Sequence, residues 1–274
     1  MTRPSIGVFD SGVGGLSVLL EIQQRLPGVS LVYFADQRHV PYGSRSLHEV
    51  QSLSHGITRF LLEQDCRLIV VACNTASAAA LHALRSDFPA TPFVGMEPAV
   101  KPAAERSETR KVAVLATPAT FQGALFASVV DRFANGVEVA EIIAPGLVEL
   151  IEAGETASEA VDSVLLPALE TAIAKGVDTV VLACTHYSFV IPAILRILGP
   201  GVEVIDPAPA VAQQTERLWE SQGFLEKNPA GTNIRYVTSG DPSAFRSSLL
   251  KLVGDEEDVE PASWEAGSLV ARQN

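Results

Sequence analysis

Short apolar runs alternate with longer amphipathic segments along the whole chain. In its first part the runs lie at 6–9, 31–35, 68–72 and 92–95, and in its second part at 111–116, 137–143, 179–183 and 202–206. Their length is that of buried strands, whereas the spacing of apolar residues over 47–65 and 157–175 predicts helices. Strands that alternate with helices are typical of parallel sheets flanked by helices, so the predicted fold class is α/β.

The two sets of runs resemble two copies of one plan. VVACNTAS at 70–77 and VLACTHYS at 181–188 share the pattern V-x-A-C-x-x-x-S, at an offset of 111 residues. A Pro-Ala-Val triplet at 98–100 recurs at 209–211 with the same offset. Matches in the same order predict two similar α/β domains with mainly parallel sheets, related by a pseudo-twofold axis. An active site is then expected in the cleft between the domains.

Proline-rich, polar linkers separate the copies and indicate domain boundaries. Residues 1–97 together with 208–254 are predicted to form the first domain, because the helix-like and strand-like segments that follow the linker at 206–214 have no counterpart before residue 111. Residues 98–207 are predicted to form the second domain. The stretch 255–274 is acidic and then small and polar, so it is predicted to be a flexible tail.

Composition and charge narrow the class of protein. Of the 274 residues, 47% are hydrophobic and 19% are charged, which is sufficient for a large folded core. The formal net charge of −12 argues against nucleic acid or an anionic membrane as the main partner. Three cysteines imply no disulfide framework and fit a reducing, cytoplasmic location. The N-terminus does not have the pattern of a signal peptide, and no apolar run is long enough to span a bilayer.

Polar and nucleophilic side chains follow strand after strand. Ligands of parallel α/β sheets bind outside the carboxyl ends of the strands. The candidates at these ends and in the loops after them are Asp10, Ser11, Asp36, Pro41, Tyr42, Gly43, Cys73, Asn74, Thr75, Thr117, Thr120, Cys184, Thr185 and His186. The internal repeat relates Cys73 to Cys184, so we expect the two thiols on opposite walls of the cleft.

Two opposed thiols suit the inversion of a carbon stereocentre by proton transfer. One face of the carbon needs a base and the other an acid, and the roles swap in the reverse direction. Each cysteine precedes a predicted helix, and a helix N-terminus lowers a thiol pKa from its free value of about 8.5. Asp10 and His186 are candidates to assist proton transfer at Cys73 and Cys184, respectively. Cys66 has no partner in the repeat and is interpreted as a buried structural residue.

The candidate substrate is an amino acid. Hydroxyl and amide groups at the strand ends, including Ser11 and Asn74, can bind a carboxylate without an arginine clamp. Asp10, Asp36 or Glu152 could meet an ammonium group. The chain has five lysines, and none follows a strand inside a motif, so a pyridoxal phosphate enzyme is disfavoured and no cofactor is expected.

Two other kinds of site are disfavoured. Cys73, Cys184 and His186 could contribute to a zinc site, but no C-x-x-C spacing or fourth ligand is evident, and no metal is expected. DSGVGGLS lacks both the G-K-[ST] ending and the G-x-G-x-x-G spacing of phosphate loops. Its glycines are interpreted as a tight turn into a helix that gives close access to the backbone.

The motifs DSGVGG, VPYG, ACNTAS, ACTHY and TSGD, in this order and spacing, closely resemble those of bacterial glutamate racemases, in the aspartate/glutamate racemase superfamily. The resemblance runs from about residue 5 to about residue 253. It implies cofactor-independent interconversion of L- and D-glutamate, which supplies D-glutamate for peptidoglycan synthesis and so for cell-wall biogenesis and cell shape.

The resemblance also implies roles for individual residues. Cys73 and Cys184 match the acid/base pair of the family, with Cys73 expected to deprotonate the D-enantiomer and Cys184 the L-enantiomer. The segments that match substrate-binding positions are Asp10-Ser11, Tyr42-Gly43, Asn74-Thr75 and Thr185-His186. Asp36 and Glu152 match acidic positions near the site, where they are candidates to support the residues that touch the substrate.

The chain departs from the family pattern beside Cys184, where Ala183 and Ser188 replace the usual Gly and Pro, and at Ala144, where many relatives carry a cysteine.

The expected partner is glutamate, with neither membrane nor direct nucleic-acid binding, and a homodimer is left open. A broader aspartate/glutamate racemase and a non-catalytic protein that binds a ligand in the same cleft remain alternatives. A single-cysteine decarboxylase of the superfamily is disfavoured because both cysteines are present.

Overall fold

The computed structural model describes residues 4–224 and 233–271. The strands are β1 (Ser5–Asp10), β2 (Ser30–Ala35), β3 (Cys66–Val71), β4 (Phe93–Gly95), β5 (Lys111–Ala116), β6 (Glu138–Ile142), β7 (Thr179–Ala183), β8 (Glu203–Ile205), β9 (Ile234–Thr238), β10 (Val259–Glu265) and β11 (Ser268–Ala271). The helices are α1 (Leu16–Arg25), α2 (Leu47–Glu63), α3 (Asn74–Asp87), α4 (Val100–Arg106), α5 (Pro118–Gln122), α6 (Ala124–Phe133), α7 (Leu147–Glu152), α8 (Glu159–Lys175), α9 (Ile191–Leu198), α10 (Ala208–Ser221) and α11 (Pro242–Val253). Short 3-10 helices span Tyr42–Ser44 and Thr185–Val190.

The strands form two sheets with the same central order. One sheet is ordered β11-β10-β9-β2-β1-β3-β4 and the other β6-β5-β7-β8. The pairs within them are parallel, apart from the antiparallel β10–β11 hairpin. The order β2-β1-β3-β4 repeats as β6-β5-β7-β8, which is the structural form of the internal repeat. The predicted α/β class with two mainly parallel sheets is confirmed.

The apolar runs form strands because both faces of each sheet are covered. Every residue of β1 and β7 is buried, and such strands read as continuous apolar runs without alternation. The two predicted helices are α2 and α8. Each begins after a serine whose hydroxyl accepts a backbone N–H of the first turn, Ser46 for α2 and Ser158 for α8.

The expectation of a flexible tail at 255–274 is wrong for its described part. Strand β10 pairs in parallel with β9, and β11 folds back on β10, so both extend the first sheet. Ala262 and Leu269 are buried, and Trp264 packs beside them against the core. The prediction was wrong because it was based on the acidic composition of the whole segment and not on these few apolar positions. Residues 272–274 lie outside the described part of the chain.

The first sheet takes strands from both ends of the chain, whereas the second is built from β5 to β8 alone. The boundaries at residues 97 and 207 stay a prediction. Within residues 4–224 and 233–271, no helix is both long and apolar enough to cross a membrane.

Candidate active site

A narrow cavity lies where the carboxyl ends of strands from the two sheets face each other. It is lined by Ser11, Pro41, Tyr42, Gly43, Cys73, Asn74, Thr75, Thr117, Val148, Cys184, Thr185 and His186. Except for Val148, a residue of α7, all of these are residues that the sequence analysis selected. The cavity volume is about 10 Å³, which holds about one water molecule. A larger ligand therefore enters only when the walls move apart.

Cys73 lies at the junction of β3 and α3. It has an extended backbone and caps α3, and its Sγ accepts the backbone N–H of Ala76 at 3.4 Å. This contact is the helix N-terminal effect that the sequence predicted, but it is not the dominant one. Burial raises the pKa of the Cys73 thiol well above its usual value, and the negative charge of Asp10 raises it further. Cys73 is therefore a protonated thiol in the closed cavity.

Cys184 follows β7, the strand that corresponds to β3 in the second copy. A helix begins after it, as the sequence analysis expected, and its first part, Thr185–Val190, is a 3-10 helix. The Sγ atom of Cys184 lies 3.8 Å from Nδ1 of His186, and Nε2 of His186 lies 2.6 Å from Oε1 of Glu152. Burial alone lowers the pKa of His186, but its contacts with Cys184 and Glu152 raise the pKa well above its usual value. A protonated imidazole beside Cys184 can stabilise negative charge on that sulfur.

Glu152 lies behind His186 and does not line the cavity. Its Oε1 accepts the backbone N–H of Val13 at 2.8 Å, and its Oε2 accepts Nε2 of Gln37 at 3.1 Å. Burial raises the pKa of Glu152, but the hydrogen bond and charge of His186, together with the hydrogen bonds from Val13 and Gln37, lower it overall. The suggestion that Glu152 meets a substrate ammonium group is wrong, because both of its oxygens are engaged by protein groups.

Two glycines of the DSGVGG motif leave room for the side chains of Glu152 and His186 beside the loop after β1. A Cβ atom on Gly12 would lie 1.8 Å from Oε1 of Glu152, and one on Gly14 would lie 2.4 Å from Nδ1 of His186. Any side chain at these positions would displace the Glu152–His186 pair. As predicted, the glycines of the motif let other groups approach the backbone closely. The groups that approach are the side chains of Glu152 and His186.

Asp10 is fully buried beside Cys73 and is not part of the cavity lining. Its Oδ2 accepts the backbone N–H groups of Gly12 and Gly15, at 3.3 and 3.0 Å. Its Oδ1 has no hydrogen-bond partner among the described residues. Burial raises the pKa of Asp10, although the charge of His186 opposes the rise. A carboxyl group of this kind is suited to exchange a proton with the neighbouring thiol.

Asp36 lies behind the cavity wall formed by Tyr42. It is fully buried and accepts Tyr42 Oη at 2.6 Å, Ser239 Oγ at 2.5 Å and Trp264 Nε1 at 2.8 Å. His39 Nδ1 lies 3.0 Å from its Oδ2. Burial raises the pKa of Asp36, but these hydrogen bonds lower it overall. The suggestion that Asp36 meets an ammonium group is also wrong, because its oxygens are saturated by protein donors.

Three threonine hydroxyls join the two walls. Thr75 Oγ1 lies 3.0 Å from Thr117 Oγ1 and 3.2 Å from Thr120 Oγ1, and the latter two are 3.0 Å apart. Thr75 and Thr117 line the cavity, whereas Thr120 lies behind them. The amide oxygen and nitrogen of Asn74 are buried in the cavity wall without a partner among the described residues. These neutral groups can bind a ligand carboxylate.

Sequence reasoning missed three supporting residues, which are Gln37, Ser239 and Trp264. Gln37 directly follows Asp36, but nothing in its local pattern indicated a contact with Glu152. Ser239 lies in the TSGD motif that contributed to the family resemblance. Trp264 lies in the segment that the sequence analysis predicts to be a flexible tail.

The remaining candidates are readily placed. Cys66 is buried in β3, where burial raises its pKa to about 11 and its Sγ accepts Ser5 Oγ at 3.5 Å. It is not part of the cavity lining, in agreement with a structural role. Across the described ranges, no group of three or more His, Cys, Asp or Glu side chains is arranged to hold a metal ion.

Comparison with known proteins identifies the family. Residues 6–215 match the model of the Asp/Glu/Hydantoin racemase family. The chain is 47% identical over 255 residues to a glutamate racemase from Pseudomonas putida, covering 93% of this chain and 96% of that one. A crystal structure of a Bacillus anthracis glutamate racemase superposes with a TM-score of 0.86 at 30% identity, covering 98% and 100% of the two chains. An Escherichia coli glutamate racemase, solved with L-glutamate and the activator UDP-MurNAc-Ala, gives 0.83 at 31% identity, covering 96% and 99%. The chain therefore belongs to the Asp/Glu/Hydantoin racemase family.

Proposed function

We propose that this enzyme interconverts L- and D-glutamate without a cofactor, with Cys73 and Cys184 as the two acid/base groups. The observation that carries the proposal is the placement of both thiols in one cavity, each at the end of the corresponding strand of its sheet. Glutamate as the substrate is supported by the names of the similar proteins and by the E. coli structure with L-glutamate.

The geometry supports a two-base mechanism with different starting states on the two walls. In the direction that begins with the L-enantiomer, Cys184 as thiolate takes the α-proton and the Cys73 thiol delivers its proton to the opposite face. The intermediate carbanion is planar at the α-carbon, so the product is the D-enantiomer. His186 supports negative charge on Cys184, and the high pKa of Cys73 keeps a proton ready for delivery.

In the reverse direction Cys73 must first lose its proton and Cys184 must gain one. Asp10 is the adjacent group whose carboxyl can take the proton of Cys73, because its Oδ1 has no other partner in the described structure. The His186 imidazolium, with Nδ1 3.8 Å from Cys184 Sγ, can supply the proton that Cys184 then delivers. The substrate carboxylates are then bound by neutral donors such as Asn74, Thr75 and Thr185, since no arginine or lysine lines the cavity. Arg45, which flanks the Pro41-Tyr42-Gly43 segment, is instead engaged by His39 and Glu49.

The decisive experiment is α-proton exchange in deuterium oxide, followed by NMR for each enantiomer of glutamate and aspartate with no added cofactor. We expect exchange and racemisation of both glutamate enantiomers, and loss of both when Cys73 and Cys184 are serines. Equal rates on aspartate would indicate the broader racemase. Binding of glutamate without exchange would show a non-catalytic protein and contradict the proposal.

A role in peptidoglycan synthesis is part of the same proposal, because D-glutamate is what the reaction would supply to the cell wall. We expect the wild-type chain to rescue a bacterial strain that requires D-glutamate for growth. The double serine variant should not rescue it. Cytoplasmic location and assembly as a homodimer stay predictions.

A further inference from the structure

The C-terminal hairpin reaches the back of the cavity wall through one side chain. Trp264, on β10, donates its Nε1–H to Oδ1 of Asp36 at 2.8 Å. The other oxygen of Asp36 accepts the hydroxyl of Tyr42 at 2.6 Å, and Tyr42 lines the cavity. A connection of two hydrogen bonds therefore runs from the hairpin to the wall that a substrate would touch.

Tyr42 is held by Asp36 from behind. The Tyr42 hydroxyl donates its hydrogen to the Asp36 carboxylate, so it is not available to donate to a ligand. The part of Tyr42 that faces the cavity is its ring. Asp36 in turn is fully buried, and an ionised carboxylate in such a place is costly unless donors surround it. The orientation of the Asp36 carboxylate, and with it that of Tyr42, depends on those donors.

The indole of Trp264 is seated by contacts at both of its ends. A Cβ atom on Gly56 would lie 2.6 Å from Cη2 and Cζ3 of the indole, so only glycine leaves room for the six-membered ring on α2. The indole and the ring of His39 form a T-shaped contact, with centroids 5.5 Å apart and an angle of 77° between the ring planes. The N–H group is thus directed at Asp36 by packing of the rest of the side chain.

We propose that Trp264 is a positioning residue of the active site, whose indole N–H orients Asp36 and thereby fixes the ring of Tyr42 against the substrate. This inference rests on the proposed racemase function of the cavity. It assigns the C-terminal hairpin a part in substrate binding in addition to its part in the sheet.

Two variants separate the hydrogen bond from the packing. Trp264→Phe keeps an aromatic ring in place but removes the donor. Trp264→His keeps a ring N–H at a similar position but loses the six-membered ring on Gly56. A misplaced wall weakens binding of either enantiomer, so we expect KM for both glutamate enantiomers to rise about threefold to tenfold in Trp264→Phe. This is less than the roughly tenfold or more that one hydrogen bond to a charged group is typically worth, because the other contacts of Asp36, with His39 and Ser239, stay in place. We expect KM near the wild-type value in Trp264→His, with a lower Tm.

The other tryptophan is a matched control. The indole N–H of Trp219, on α10, has no hydrogen-bond partner among the described residues. Trp219→Phe therefore removes an indole of the same kind without breaking such a bond. A merely structural effect lowers the amount of folded enzyme, and hence the apparent kcat, while KM is unchanged. We expect that pattern for Trp219→Phe.

A double-mutant cycle tests whether the effect runs through Asp36. Tyr42→Phe removes the second hydrogen bond of the connection, so the effects of Tyr42→Phe and Trp264→Phe on KM should be less than additive. Three outcomes would overturn the proposal. They are an unchanged KM in Trp264→Phe, a KM that follows Tm across the variants, and failure of both Trp264 variants to fold. Absence of racemisation by the wild-type chain would instead overturn the proposed function, so the two failures are distinguishable.

Discussion

Nε2 of His186 lies 2.6 Å from Oε1 of Glu152, and both side chains are shielded from solvent behind Cys184. The pair joins α7 to the 3-10 helix after β7, and it lies behind Cys184 as Asp10 lies behind Cys73. The two walls of the cavity therefore differ: one thiol has a cationic neighbour and the other a carboxyl neighbour. The two corresponding thiols therefore have neighbours of opposite charge type.

Replacing either catalytic cysteine by serine should lower the rate of racemisation by about 10²- to 10⁴-fold, because each group supplies general acid or base catalysis. L- and D-glutamate have equal free energies in water, so kcat/KM must stay equal in the two directions for every variant. Handedness is therefore measured on a half-reaction, with a substrate analogue that eliminates a leaving group after one deprotonation. Cys73→Ser should process the L-analogue preferentially, and Cys184→Ser the D-analogue.

Cys66→Ala is the matched control for the serine variants. Cys66 is a buried thiol outside the cavity, so this variant should retain racemase activity. The same enantiomer preference in Cys73→Ser and Cys184→Ser would contradict the two-base assignment. Full activity in either would remove that residue from it.

Replacing Glu152 by glutamine should move the alkaline limb of the kcat/KM profile to lower pH. Burial lowers the pKa of His186, and Cys184 and Glu152 raise it, so loss of the Glu152 charge lets the pKa fall. The imidazolium that supports Cys184 is then lost at a lower pH than in the wild type. Steady-state rates measured from pH 6 to 10 (an interval about the ordinary pKa values of His and Cys) test the shift.

Glu149→Gln provides the control for this profile, because Glu149 is an exposed carboxylate on the same helix, α7. We expect its profile to overlay that of the wild type. If Glu149→Gln and Glu152→Gln moved the limb equally, the shift would reflect net charge and not the contact with His186.

The Glu152–His186 pair should also make stability depend on pH. The pKa of His186 is raised in the folded state, so its contribution is complete below its unfolded pKa of about 6.5 and is lost as the pH rises through the folded pKa. The pKa of Glu152 is lowered, so its contribution is present above about 4.3 and is lost as the pH falls through the folded pKa. The pair therefore stabilises the fold most between these two unfolded values.

Chemical denaturation of wild type and His186→Asn at several pH values measures this contribution. Removing one partner of a buried ion pair typically costs about 3–5 kcal/mol, so a difference of that order in the free energy of unfolding is expected near pH 5.5. The difference should shrink towards high pH. A difference that is constant with pH would show that packing, and not the ion pair, is responsible.

Thr120→Val should raise KM less than Thr75→Val does. Both changes remove a hydroxyl from the same cluster at nearly constant volume, but Thr75 lines the cavity and Thr120 only supports it. We expect about a tenfold rise for Thr75→Val, the value of one hydrogen bond to a charged group, and a smaller rise for Thr120→Val. Thr58→Val, which removes a buried hydroxyl bonded to Ser54 O in α2, should leave KM unchanged. Equal effects at positions 75 and 120 would place Thr120 in direct contact with the substrate.

The α/β class, the internal repeat and the two cysteines at corresponding strand ends could all be predicted from the amino-acid sequence. Those features are local or periodic: apolar runs, helical spacing and a repeated V-x-A-C pattern are complete within short segments. The same locality explains why nearly every residue of the cavity lining could be selected in advance, since parallel strands bring their carboxyl ends to one edge.

The groups that surround these residues come from parts of the chain far away in sequence, so they become visible in the folded structure and not before. Glu152 bonds to Val13 across 139 residues of sequence, and Trp264 bonds to Asp36 across 228, and no local pattern records such contacts. Because of these contacts, Asp36 and Glu152 support the cavity walls from behind and do not bind a substrate ammonium group. The contact of Trp264 also helps to hold the β10–β11 hairpin, which its composition predicted to be flexible. Burial likewise reversed the expected direction of the Cys73 pKa, because desolvation of the thiolate outweighs one backbone N–H at a helix N-terminus.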